Sequence, residues 1–124
     1  MNKYQGTDKD IHKRIYIYVV NCFRHIIKLI PKTSENLPII SQITASLTSM
    51  GANDQEADGT DTSKDFVAKY AIVRKEGKET SYWLRVIADT NVSFKPRMQD
   101  LMQEGKEIVK IVSAIMFNTK KKKG

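Results

Sequence analysis

Five residues invite a metal first. Asp54, Glu56, Asp58, Gly59 and Asp65 fall at positions 1, 3, 5, 6 and 12 of a calcium-binding loop, where oxygen ligands surround a hard cation and a glycine makes the turn. Three features weaken that reading. Position 3 is a Glu, position 12 is an Asp too short for the usual bidentate contact, and position 8 is the charged Asp61. An acidic helix end followed by a loop accounts for the same residues, and no metal is expected. A carboxylate-bridged dimetal centre fares no better, because it needs inward Glu on two helices and Glu-x-x-His on two more. The two histidines, His12 and His25, both precede the second helix, and neither follows a Glu at that spacing. Glu76 and Glu79 then read as partners for Arg or Lys. Cys22 falls inside an apolar run, where a thiol packs as a small inert group. With no G-x-S-x-G, P-loop or dinucleotide fingerprint, no catalytic residue and no cofactor are expected, and the chain reads as a non-enzyme.

Basic residues give a different signal. The 124 residues hold 21 Lys and Arg against 14 Asp and Glu, a net charge of +7. Such a balance favours acidic partners, with nucleic acid the commonest. At 100° per residue, Arg74, Lys78 and Arg85 fall within roughly 40° of one another, with Lys75 further round. On an earlier helix Lys13, Arg24 and Lys28 share a polar face, with Arg14 nearby. A solvated face and a phosphate-binding strip both fit these positions. Tyr82 and Trp83 adjoin the strip, and Trp83 falls toward the core flank, where packing is the expected role. No glycine-aromatic pattern of an RNA-recognition sheet is present, so any RNA contact is expected to be led by backbone and shape.

Four helices must position these groups. The expected spans are about residues 10–30, 37–58, 63–91 and 96–119, with 120–124 as a basic, disordered tail. Pro31 stops the first, Asn36 is the candidate N-cap of the second, and Pro96 suits the first turn of the fourth. In the first helix Ile11, Ile15, Tyr16, Tyr18, Val19, Val20, Cys22, Phe23, Ile26, Ile27, Leu29 and Ile30 fill an arc of roughly 200°, interrupted by His12. A surface helix usually buries about 100° or slightly more. Either this helix has several neighbours, or it meets a second subunit. The third helix carries Phe66, Tyr70, Val73, Leu84 and Ala88 on a narrow stripe, with Gly77 and Thr80 opening it to a close neighbour. The fourth presents Met98, Leu101, Met102, Ile108, Val109, Val112, Ile115 and Met116 over roughly 140°. Long helices with short connections predict a single-domain, all-α, antiparallel up-down-up-down four-helix bundle. No apolar run reaches the roughly 20 residues of a membrane span. The polar stretch Met1 to Asp10 lacks a secretion signal, and a cytoplasmic location is expected.

SMGANDQEA (Ser49 to Ala57) resembles the signature of the four-helix-bundle proteins encoded in intervening sequences of bacterial 23S rRNA genes. SKDFVAKYAIVRKEGKETSYWLRVI (Ser63 to Ile87) is similar to the third helix of that family, and KTSENLPIISQITAS to the start of its second. The likeness covers about Ile11 to Lys120. Asp54 stands where the family usually carries an aromatic, and Gly77 where it usually has alanine. The resemblance implies a short antiparallel bundle assembled as a ring-like homo-oligomer, with a pentamer favoured, and it implies no catalytic residue. The family is also similar in fold to accessory proteins of diversity-generating retroelements, basic pentamers that engage a reverse transcriptase and nucleic acid. Two functions follow as expectations. The first is binding of structured RNA through the basic helix faces. The second is a scaffold that docks a partner protein such as a reverse transcriptase.

Overall fold

The computed structural model describes residues 10–123, and the side chains of residues 10–121. Four α-helices and no strand make up the described residues: α1 (Ile11–Cys22), α2 (Asn36–Asp58), α3 (Ser63–Thr90) and α4 (Lys95–Lys123). Oxygen caps start two of them. Asp10 Oδ1 accepts from the Lys13 amide at 2.9 Å, and Thr62 Oγ1 from the Asp65 amide at 3.1 Å.

The first apolar segment does not stay α-helical to its end. After Cys22 a π-helical turn, Phe23–Ile27, closes with the Lys28 amide donating to the Phe23 carbonyl at 2.9 Å. The buried residues Tyr18, Cys22, Ile26 and Ile30 recur every fourth position. On a regular α-helix each such step drifts about 40° around the axis. A wider turn absorbs part of that drift and keeps Ile26 and Ile30 on the core. Pro31 then prevents continuation, and the Lys32 ammonium donates to the carbonyls of Ile27, Lys28 and Ile30 at 2.7, 3.3 and 2.6 Å. A cation on these orphan carbonyls caps the helix end.

Two expectations about the helix ends are corrected. Asn36 is the first residue of α2 and not its cap. Thr33 Oγ1 accepts from the Asn36 amide, while the buried Asn36 carboxamide donates to the Pro31 carbonyl and to Asn91 Oδ1, each at 2.9 Å. That pair ties the start of α2 to the end of α3. The basic tail is also misplaced: Lys120 to Lys123 continue α4. Lysine propagates a helix well, and its charge suits the negative end of the dipole. Gly124 lies outside the described residues.

Packing places α3 along both α2 and α4, while the α1 backbone approaches α2 and α4 closely and not α3, which it meets through the His12 ring, edge-on to Tyr70 with centroids 6.3 Å apart. Small residues set the spacing. A Cβ on Gly77 would stand 2.9 Å from Val109 Cγ2 and 3.2 Å from Met50 Cε, so glycine permits this approach. A Cβ on Gly105 would meet the Tyr18 hydroxyl at 2.5 Å. Ser46 and Thr80 face each other at 2.7 Å through their buried hydroxyls.

One charged pair lies inside. Arg14, which the sequence places near the polar face of the first helix, is buried. Its Nε and Nη2 donate to the two Glu104 oxygens at 2.7 and 2.8 Å. The bidentate geometry satisfies both groups and supplies the compensation that two desolvated charges require.

Candidate nucleic-acid interface

The α3 cations gather where α4 lies alongside. One shallow groove of about 360 Å³ is lined by Ala71, Arg74, Lys75, Lys78 and Met116. A second, of about 260 Å³, is lined by Lys78, Ser81, Tyr82, Arg85, Met102 and Lys106. Lys78 belongs to both, so Arg74, Lys75, Lys78 and Arg85 follow one α3–α4 seam. Lys106 joins them from α4 and was missed in the sequence. Its signal was its place one turn after Met102, on the flank of the apolar arc of α4. All five are exposed, and none pairs with a carboxylate among the described residues. Unneutralised cations along a groove create a positive potential that attracts phosphate. The two thioethers supply an apolar floor.

The cations of the first apolar segment do not join this seam. Lys13, Arg24 and Lys28 are exposed. Arg24 lies in the π-helical turn and Lys28 just after it, and none of the three lines either α3–α4 groove. The seven residues that sequence reasoning grouped therefore divide into two sets.

Next to Arg85 the two aromatics take different roles. Trp83 packs against the core, as expected, with its Nε1 buried and without a hydrogen-bond partner. The Tyr82 ring is 58% exposed and meets the Trp83 ring edge to face, with centroids 5.0 Å apart and planes at 72°.

The acidic residues that suggested calcium do mechanical work instead. Asp54, Glu56 and Asp58 all lie within α2. Asp54 is buried and accepts from the Tyr70 hydroxyl at 2.7 Å, and its Oδ1 lies 2.8 Å from His12 Nδ1. His12 Nε2 reaches Asp58 at 3.2 Å, and Glu56 pairs with Lys69 at 2.7 Å. These contacts hold the start of α1 and the start of α3 against the end of α2. Burial and the Asp54 carboxylate push the Tyr70 hydroxyl well above the ordinary tyrosine range. Among the described residues no group of three or more His, Cys, Asp or Glu is placed to hold a metal ion. Burial also pushes the Cys22 thiol up to about 12, which leaves it protonated and unreactive near neutrality.

A second surface lies on α1 and α2. Of the wide apolar arc, Ile11, Ile15, Tyr18, Cys22, Ile26 and Ile30 are buried, whereas Tyr16 and Leu29 are exposed. Ile17 and Leu37 are exposed as well. A largely apolar groove of about 290 Å³ opens here, lined in part by Tyr16, Val19, Leu47 and Ala52, with Asp54 and Gln55 also in its wall. The adjoining stretch of α2, Leu37 to Asn53, contains no charged residue.

A basic seam on one pair of helices and a largely apolar face on another define a small helical-bundle protein built around surfaces. The sequence model of the 23S rRNA-intervening sequence protein family matches residues 7–114, and the chain belongs to that family. A solved structure from Bacteroides thetaiotaomicron, described as a protein with unknown function from the S23 ribosomal protein family, is 27% identical with a TM-score of 0.77. The alignment covers 88% of this chain and 96% of that one. Among curated proteins no match was found. No described helix is long and apolar enough to cross a membrane.

Proposed function

We propose that this chain is a non-enzymatic, cytoplasmic bundle of up-down-up-down topology that assembles into a ring-like homo-oligomer and binds structured RNA along the α3–α4 seam. The observation that carries the reading is the convergence of Arg74, Lys75, Lys78, Arg85 and Lys106 on one seam, none of them paired with a carboxylate among the described residues. The topology is supported by the short connections and by the Asn36–Asn91 and Glu56–Lys69 contacts, which join opposite ends of α2 and α3. Assembly is supported by the apolar α1–α2 face. Depletion of charge at the centre of a patch is a compositional mark of protein interfaces. A pentamer, the form the family resemblance favours, would repeat the seam around a ring and turn weak phosphate contacts into useful affinity. The family's tie to 23S rRNA intervening sequences points in the same direction.

Filter binding with a structured RNA tests the RNA reading. Affinity should fall linearly on a log–log plot against salt, and replacing Lys78 or Arg85 by alanine should reduce the slope by roughly one each. No affinity at low salt, or affinity that ignores salt, would sink the proposal. The exposed apolar α1–α2 face favours a second reading, a scaffold that docks a partner protein such as a reverse transcriptase. On that reading, neutralising Arg74, Lys78 and Arg85 leaves function intact, whereas a charge placed on the apolar face abolishes it.

A further inference from the structure

We infer that the groove around Tyr82 takes an unpaired nucleotide, with its base stacked on the Tyr82 ring and the flanking phosphates on Lys78, Arg85 and Lys106. The inference rests on the RNA-binding reading above and names the form of RNA that the seam selects. Four features of the groove carry it.

A tyrosine ring that is 58% exposed on a helix face has surrendered much of the apolar burial that usually holds an aromatic in place. This ring is nevertheless oriented. The Trp83 ring meets it edge to face, with centroids 5.0 Å apart and planes at 72°, and Trp83 is itself packed against the core. A ring fixed in this way loses little freedom when a ligand lands on it. The remaining walls suit a nucleotide. Lys78 and Arg85 flank Tyr82 on α3, Lys106 faces them from α4, Met102 offers an apolar surface and Ser81 a hydroxyl. Cations for phosphate beside an aromatic platform for a base are the two parts of single-strand recognition.

Charge alone does not distinguish RNA forms, and the aromatic does. An A-form duplex presents rows of phosphates and 2′-hydroxyls, but its base faces are stacked inside. Tyr82 therefore adds nothing to duplex binding, while an unpaired base in a loop, bulge or single strand gains the stacking contact. Stacking of one base on an aromatic contributes roughly 5- to 150-fold in affinity.

The test uses the full chain and fluorescence anisotropy. Probes are a labelled oligouridylate, a blunt RNA duplex of equal phosphate number and polyglutamate. Tyr82→Ala should weaken the oligouridylate by roughly 5- to 150-fold, leave the duplex unchanged and leave the salt slope unchanged. Tyr82→Phe, which keeps the ring and loses the hydroxyl, should retain single-strand affinity, and circular dichroism checks that both variants fold. If Tyr82→Ala affects neither RNA, or both equally, stacking is overturned. If Lys78→Ala and Arg85→Ala weaken the oligouridylate but Tyr82→Ala does not, the seam binds RNA without the stacked base and only this inference falls. If the unsubstituted protein binds neither RNA at low salt, or binds polyglutamate equally well with no dependence on Tyr82, the RNA-binding reading falls and this inference with it.

Discussion

Arg14→Met should unfold the protein more readily than any exposed substitution. Arg14 and Glu104 are 2% and 1% exposed and share two hydrogen bonds of 2.7 and 2.8 Å. Taking away Arg14 strands the Glu104 carboxylate in the interior, which costs about 3–5 kcal/mol. Replacing both by methionine removes the stranded charge along with the bond, and such exchanges are often neutral or stabilising by about 1–4 kcal/mol. The cycle of Arg14→Met, Glu104→Met and the double variant should therefore show a coupling of at least roughly 3 kcal/mol. Unfolding entropy near 2.1 cal/mol/K per residue gives roughly 260 cal/mol/K for a chain of this length. A loss of about 4 kcal/mol then lowers Tm by roughly 15 °C. Urea unfolding followed by helical circular dichroism reads the free energies, at fixed protein concentration because association would add its own stability. A cost below about 1 kcal/mol for Arg14→Met, the level of an exposed ion pair, would refute the reasoning. So would a double variant as unstable as the sum of the single ones.

Two further predictions concern the thiol and the apolar face. Cys22 should resist a thiol reagent in the folded protein near pH 8 and react only on unfolding, because burial raises it from an ordinary 9.0 to about 12. A group raised in the folded state contributes stability that is complete below 9.0 and lost as pH rises toward about 12. Tyr18 and Tyr70, both raised from 10.0 by burial, extend the same alkaline decline, so a urea midpoint that stays flat above about pH 9 would contradict this. Light scattering should give a multiple of 14.2 kDa, and Thr48→Lys with Ala52→Glu on the uncharged α2 face should return it to 14.2 kDa with helicity intact. A 14.2 kDa species before any substitution would remove the ring.

The sequence makes some parts of this molecule legible and hides others, and the division follows the reach of each interaction. Helical periodicity reports which side of one helix is buried, so the core residues Tyr70, Val73, Leu84 and Ala88 and the close approach at Gly77 are readable from α3 alone. Arg14 defeats the same reasoning. It sits at the border of an apolar arc, and its burial depends on Glu104, ninety positions away on α4. Asn36 has the residue type of a cap, but its carboxamide is taken by Asn91, 55 positions away, leaving the capping to Thr33. The calcium pattern fails for a similar reason. His12 and Tyr70 reach Asp54 from two other helices and hold it within the interior.

The basic residues show the same limit where function is concerned. A helical wheel gives the azimuth of a charge about its own axis and says nothing of how two helices are turned toward each other. Lys13, Arg24 and Lys28 match the α3 strip in composition and spacing, yet none of them lines either groove of the seam. Lys106 looks like one more solvated lysine on α4, and packing brings it to the groove with Lys78 and Arg85. Charges act together on a phosphate backbone only when they line one continuous path. Within a single subunit, then, loss of Lys106 should weaken RNA binding along with loss of Lys78 or Arg85. Lys13, Arg24 and Lys28, which line neither groove, join that path where assembly brings them beside the seam of another copy.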